Sequence, residues 1–342
     1  MKAMLLTGTG PVAAGRDSLV LREVPEPAPQ RDEVLLRVAA CGVCHTELDE
    51  IEGRTAPRSL PMIPGHQVVG EIVARGDDVT TAGIGQRVGV AWIFSACGRC
   101  EPCLAGNENL CGDFRATGRD ANGGYAEYMV APAAFVHAIP ECFADAEAAP
   151  LLCAGAVGYR SLRLAGIRNG TRLGLTGFGA SAHLVLMMVR HLYPDTEVHV
   201  FARQPEERQF ALQFGAAWAG DTTQRPPVGL HAIIDTTPAW LPMIMALENL
   251  VPGGRLVVNA IRKEEADRSR LLELDYAAHL WLEKEIKSVA NVTRRDVREF
   301  LDLAAAIPMR PVVETYSLRA ANRALQDLKS RHVRGAKVLC MR

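Results

Sequence analysis

Residues 172–182 read RLGLTGFGASA. Arg172-Leu173-Gly174-Leu175 is a short apolar run of strand type, and Ala180 to Leu192 is an apolar run of helical length. Between them, Gly177-Phe178-Gly179-Ala180-Ser181-Ala182 fits G-x-G-x-x-A. Gly177 permits the tight turn, Gly179 lets a pyrophosphate approach the backbone, and Ala182 stands where helix packs on strand. A helix opening at Phe178 to Ala180 offers free N–H groups and positive potential to phosphates. A glycine turn alone occurs in any α/β protein. The strand before it, the helix after it and a second strand at Val198-His199-Val200-Phe201 make it a dinucleotide site.

The alternation continues outward from that turn. A helix around Glu206 to Phe214, a strand Ala232-Ile233-Ile234-Asp235, a helix near Met243 to Asn249 and a strand Gly254 to Val258 follow in order. Such alternation builds a doubly wound parallel sheet with helices on both faces, over residues 154–286. The end of the second strand, Phe201-Ala202-Arg203-Gln204, has Ala202 where an NAD site places an acid for the ribose hydroxyls. Arg203 can pair a 2′-phosphate, so the reading favours NADP(H) over NAD(H).

Upstream the texture differs. Val34 to Val38, Val68 to Val73 and Arg87 to Val90 are short strand-like runs split by Gly, Pro and Asp, which suggests a β-barrel-like domain. Pro25-Glu26-Pro27-Ala28-Pro29 is extended and excludes helix. The last fifty or so residues return to mixed texture. We assign 1–153 and 287–342 to one discontinuous domain.

Cys97, Cys100, Cys103 and Cys111 stand as C-x2-C-x2-C-x7-C. Four thiolates so close suit a closed, structural zinc site. Cys44, His66 and Cys153 remain as a second candidate set; two cysteines and a histidine leave a zinc ion one open position, the catalytic arrangement. Two zinc ions per chain are therefore expected.

The 342 residues are 48% hydrophobic and carry a net charge of −1, enough core for two domains and no basic footprint for nucleic acid. The start lacks the apolar region of a secretory leader, and Leu173 to Val189, the most apolar run, contains three glycines and His183, against a membrane span. Nine cysteines without a leader read as metal ligands and free thiols of a cytoplasmic protein. Cys41, Cys142 and Cys340 have no assigned role, and His183, His191, His199, His231 and His332 are read as structural or surface groups. Cys41-Gly42-Val43-Cys44-His45 is formally a c-type haem motif, but that attachment needs export. A nucleic-acid-binding zinc ribbon would need flanking Lys and Arg, and only Arg99 and Arg115 lie near the cysteines.

GVCHT, PGH, the four-cysteine lobe, LLCAG and the glycine turn stand together in the order and spacing of one family. Over essentially its whole length the chain resembles the zinc-dependent alcohol dehydrogenases of the medium-chain dehydrogenase/reductase superfamily. The resemblance implies a GroES-like β-barrel catalytic domain interrupted by a Rossmann domain, with the active site in the cleft between them. It implies Cys44, His66 and Cys153 as catalytic zinc ligands and the four clustered cysteines as structural ones. Thr46 matches the hydroxyl passing the alcohol proton, Trp92 a pocket-lining residue, and His45 and Arg294 cofactor-binding groups. Zinc would act as Lewis acid while hydride passes between the carbinol carbon and C4 of the nicotinamide. A polyol or cinnamyl-type dehydrogenase shares this scaffold, and a homodimer or homotetramer is implied.

Three positions depart from the family pattern. Gln67 follows the ligand histidine where the family usually has Glu, replacing a carboxylate near the metal by an amide. Glu47 stands where Asp is usual, as the expected acceptor for a ligand His66 N–H. Asp49 replaces a histidine at the end of the proton relay, so the proton leaves through Asp49, the ribose hydroxyls or water. Thr46, Thr55, Trp92 and Ile261 are expected to line a pocket for an alcohol or its aldehyde, with a primary alcohol fitting best.

Overall fold

The computed structural model describes residues 1–307, 309–330 and 335–341; His332 lies outside them, as does the side chain of Ala180. The chain divides into one unit of Met1–Cys153 with Val292–Arg342 and another of Ala154–Asn291. The sequence places the return to the first unit at residue 287. It comes at Val292 instead, because Glu285–Ser288 is a strand of the second unit's sheet.

That sheet has six strands, all parallel, in the spatial order Trp218–Gly220, Glu197–Phe201, Arg172–Thr176, Leu230–Asp235, Leu250–Val258, Glu285–Ser288. In chain order this is 3-2-1-4-5-6, the doubly wound arrangement whose crevice opens at the carboxyl ends of the first and fourth strands. The inner strands are apolar on both faces: Leu173, Leu175, Val198, Val200, Ile233 and Ile234 are all buried. Helices Ala156–Ala165, Ala180–Leu192, Pro205–Gln213 and Leu241–Asn249 connect or precede them. Two strands escape the sequence reading. Trp218–Gly220 has three residues, too few for a periodicity, and Glu285–Ser288 is an edge strand exposed throughout.

The first unit is organised on Glu33–Val43, an eleven-residue strand. It pairs antiparallel with Val68–Arg75, with Tyr128–Pro132 and, at its far end, with Ala336–Cys340. Arg87–Val90 and Val136–Ala138 extend the sheet on one side and Val313–Ser317 on the other, giving seven strands. Register shifts at Leu35/Leu36 and Val38/Ala40 bend the central strand, as bulges do. Its inward side chains, among them Val34, Leu36 and Val38, pack with Ile72, Val88, Met129 and Leu339. The strand ends at Val43, and helix His45–Ile51 starts two residues later. Among the described residues no helix is long and apolar enough to cross a membrane.

Candidate metal centres and dinucleotide turn

Cys44 occupies the joint between that central strand and helix. Its extended backbone makes it the helix N-cap, with Thr46 N–H donating to its Sγ at 3.4 Å. The third helical residue, Glu47, reaches back to accept from the Cys44 N–H at 2.9 Å, closing a capping box. The same carboxylate meets Nδ1 of His66, leaving Nε2 of that ring 3.6 Å from Cys44 Sγ. His66 follows Gly65, whose φ of +100° and lack of a side chain are both required: a Cβ there would stand 2.4 Å from the Tyr125 ring. Cys153 arrives in a single π-helical turn, Leu151–Gly155, the kind of irregularity that often marks a functional site. Donor atoms of Cys44, His66 and Cys153 lie within 4.8 Å of one another.

The electrostatics of this trio suit a cation. Hydrogen bonding with Cys153, then burial, then the Glu47 carboxylate push the Cys44 thiol well above its usual range. Burial opposes a charged imidazole at His66, yet Glu47 and Cys44 lift its pKa well above the ordinary value. A divalent ion held here displaces those protons, so metal uptake is proton-linked. The ring nitrogen facing the sulfur is the one free to ligate, since Glu47 engages the other.

Cys97, Cys100, Cys103 and Cys111 also bring their sulfurs within 4.8 Å of one another. The lobe is built on turns: Gly98 and Gly106 have φ of +72° and +70°. Cys97 N–H donates to Cys111 Sγ at 3.4 Å. Backbone N–H groups of Arg99 and Cys100 hold the Cys97 thiol down to about 6, while partial burial and then Cys100 push Cys103 up to about 12. A cation held among the four sulfurs would deprotonate the thiols that ligate it.

Other expected residues are distributed unevenly. Asp49 is buried and accepts from Arg54 Nε at 2.6 Å. Gln67 is buried beside Gly42, with no partner for its Nε2 among the described residues. Trp92 is half-buried, stacked on Phe114 at 4.9 Å between ring centres, with the Arg119 guanidinium over its ring at 5.2 Å. The Thr55 hydroxyl is buried without a partner among the described residues. Arg294 lies in the first unit, where its backbone and side-chain Nε both donate to Glu108, at 2.9 and 3.0 Å, and its guanidinium stacks on Phe135. Glu50 was not anticipated. It is buried in helix His45–Ile51 with the Trp92 side chain nearby, and burial followed by Glu47 pushes its pKa up to about 8. A carboxylate six residues after a ligand cysteine carries no signal in sequence; only burial distinguishes it from a surface acid.

In the second unit the glycine turn follows strand Arg172–Thr176. Gly177 has φ of +77°, and a Cβ there would meet Thr236 Oγ1 at 2.9 Å. Gly179 is the N-cap of Ala180–Leu192 and makes no side-chain cap, while nothing stands within 4 Å of where its Cβ would be. That open cradle, with the helix N–H groups behind it, fits a pyrophosphate. Phe178 and Ala182 are buried in support of the turn. Ala202 is buried at the end of Glu197–Phe201 and Arg203 beside it is exposed. Ile261 belongs to this unit and is exposed.

Residues 30–141 match the alcohol dehydrogenase GroES-like domain. The chain is 43% identical to a probable alcohol dehydrogenase, AdhA, of Mycobacterium tuberculosis (strain CDC 1551 / Oshkosh), over 99% of its own length and 97% of the relative's. It is 33% identical to an alcohol dehydrogenase of Geobacillus stearothermophilus, over 95% and 96%. Its fold superposes on that of a cinnamyl alcohol dehydrogenase from Sorghum bicolor with a TM-score of 0.84 at 26% identity, covering 99% of this chain and 97% of the other.

Proposed function

The chain belongs to the zinc-type medium-chain alcohol dehydrogenase family, and from that premise we propose that it interconverts a primary alcohol and its aldehyde by zinc-assisted hydride exchange with NADP(H). The observation that carries this reading is the approach of Cys44, His66 and Cys153 within 4.8 Å, with Glu47 on the far imidazole nitrogen. Cys44, His66 and Cys153 would hold a zinc ion supplying Lewis-acid polarisation of the substrate oxygen, while the dinucleotide supplies hydride chemistry. Glu47 orients the His66 ring and keeps its Nε2 directed at the two sulfurs. The Thr46 hydroxyl takes the alcohol proton, and Asp49, steadied by Arg54, is the next acceptor. Gly177 and Gly179 seat the pyrophosphate, and Arg203 pairs the 2′-phosphate. His45 and Arg294 take the cofactor-binding roles that the family resemblance implies. Thr55 and Trp92, in the first unit, are assigned to the substrate pocket. The second zinc, in the four-cysteine lobe, is structural.

A bulky aromatic aldehyde of cinnamyl type is the second reading, favoured by likeness to the Sorghum enzyme and by the aromatic surface of Trp92 and Phe114. A homodimer or homotetramer is supported by the exposed edge strand Glu285–Ser288, which leaves backbone groups unpaired. Cysteines free of disulfides support a cytoplasmic setting. One experiment tests the whole reading: a panel of alcohols and aldehydes with NADPH and NADH, run with and without a zinc chelator. Activity that survives complete removal of metal would reject it, and a tenfold preference for NADH would reject the cofactor assignment.

A further inference from the structure

Asp235 ends strand Leu230–Asp235, at the crevice where the doubly wound sheet reverses, and is fully buried. Its Oδ1 accepts from the Thr176 hydroxyl at 2.6 Å, the Thr237 hydroxyl at 2.8 Å and the Thr237 N–H at 3.1 Å. Its Oδ2 accepts from Lys263 Nζ at 2.5 Å. The same ammonium donates to the carbonyls of Thr237 and Ala239 at 2.9 and 3.0 Å, which uses all three of its protons. Lys263 is thus fully committed inside the protein, and the pair ties the ends of three neighbouring strands together: Thr176 of the first, Asp235 of the fourth and the segment after Leu250–Val258. Thr176 immediately precedes Gly177. Thr236, next to Asp235, donates its N–H and its hydroxyl to the Thr176 carbonyl at 3.0 and 2.9 Å, and its Oγ1 is what a side chain at Gly177 would strike.

Buried ion pairs contribute little net stability compared with apolar packing, so a role in specifying geometry has to be sought for one this well satisfied. The geometry points to Lys263 and Asp235 as positioning residues for the dinucleotide: the pair holds Thr176, Thr236 and Thr237 in the arrangement that gives the Gly177 turn its left-handed backbone before any ligand arrives. This rests on the dinucleotide reading above and extends it to residues outside the glycine motif. Both side chains are engaged within the protein, so their part is to position the turn. Their effect is preorganisation, which strengthens binding by removing an ordering cost.

Fluorescence titration of the zinc-loaded protein with NADPH, and separately NADH, tests it alongside thermal melting and zinc content. Lys263→Met leaves a buried carboxylate without its counter-charge and lowers the melting temperature. The double variant Lys263→Met/Asp235→Asn removes the stranded charge and recovers most of that loss. Both variants are expected to bind NADPH at least tenfold more weakly with zinc content unchanged, and Lys263→Arg to recover part of the affinity. Parental Kd in the folded double variant overturns the inference, because the pair is then a stability element alone. If Lys263→Met does not fold, the double variant still decides. Parental protein that binds neither dinucleotide overturns the cofactor reading itself, an outcome distinct from equal binding by parent and variants.

Discussion

One oxygen of the Glu47 carboxylate meets Nδ1 of His66 while the other accepts from the Cys44 N–H. Two metal-ligand candidates are thereby oriented by a single side chain. Glutamine there supplies one acceptor and one donor, and the donor faces an N–H whichever way the amide turns. Glu47→Gln is expected to weaken zinc binding at this site about 10–100-fold, read by competition with a chromogenic chelator. Equal competition curves would remove Glu47 from the site. Glu47 was readable through the family pattern, which has an acid at that position; Glu50 was not, because its distinguishing property is burial. His137 makes a second residue-scale case. It is buried with no partner for Nε2 among the described residues, and burial, then Arg298 and Arg294, lower its pKa to about 4. Unfolded, the ring titrates near 6.5, about the model-peptide value. The unfolded chain therefore binds more protons between those values, and the stability His137 permits above pH 6.5 is lost as pH falls through 4. Denaturant midpoints at pH 7.5 and pH 5 should fall less in His137→Gln than in the parent. Identical drops in both would show that the ring is not responsible.

Helix Ala180–Leu192 begins without a side-chain cap, although serine, threonine or aspartate is common there. Its first N–H groups remain available, and the glycine at the N-cap keeps the approach to them open. Because a Cβ on Gly179 meets nothing within 4 Å and its φ of −89° suits any residue, Gly179→Val should fold with an unchanged melting temperature. Dinucleotide affinity should fall tenfold or more, by fluorescence titration. A variant that binds as tightly as the parent would mean that phosphates do not sit at this turn. The strand-turn-helix element was legible because its signals are local: an apolar run, two glycines at fixed spacing and a second apolar run. The π-helical turn at Cys153 was not, since LLCAG reads equally well as ordinary helix.

At the scale of the molecule, the last strand of the chain completes what Glu33–Val43 began. Ala336–Cys340 lies between Val313–Ser317 and Glu33–Val43, with Lys337 opposite Val43, the residue before Cys44. Buried Lys337 bonds to Glu314 at 3.0 Å and to the Tyr316 hydroxyl at 3.2 Å, locking the two C-terminal strands together. Ending the chain at Ser330 would leave the Cys44 end of the central strand paired on one side only, with Val68–Arg75. Such a truncation should aggregate or emerge depleted in the Cys44 zinc, as metal analysis of the soluble fraction would report; full zinc content in a soluble product would contradict this. The sequence by itself determined the donor types, the four-cysteine lobe, the glycine turn and the strand–helix alternation, because each is carried by spacing within a short stretch of chain. Only the tertiary structure decided that Asp235 would be clamped by Lys263, that Arg294 would be held by Glu108, and that the return to the first unit would come at Val292. Contacts between residues far apart in the chain carry a loop-closure cost that only the assembled core offsets, so they have no local signature to read.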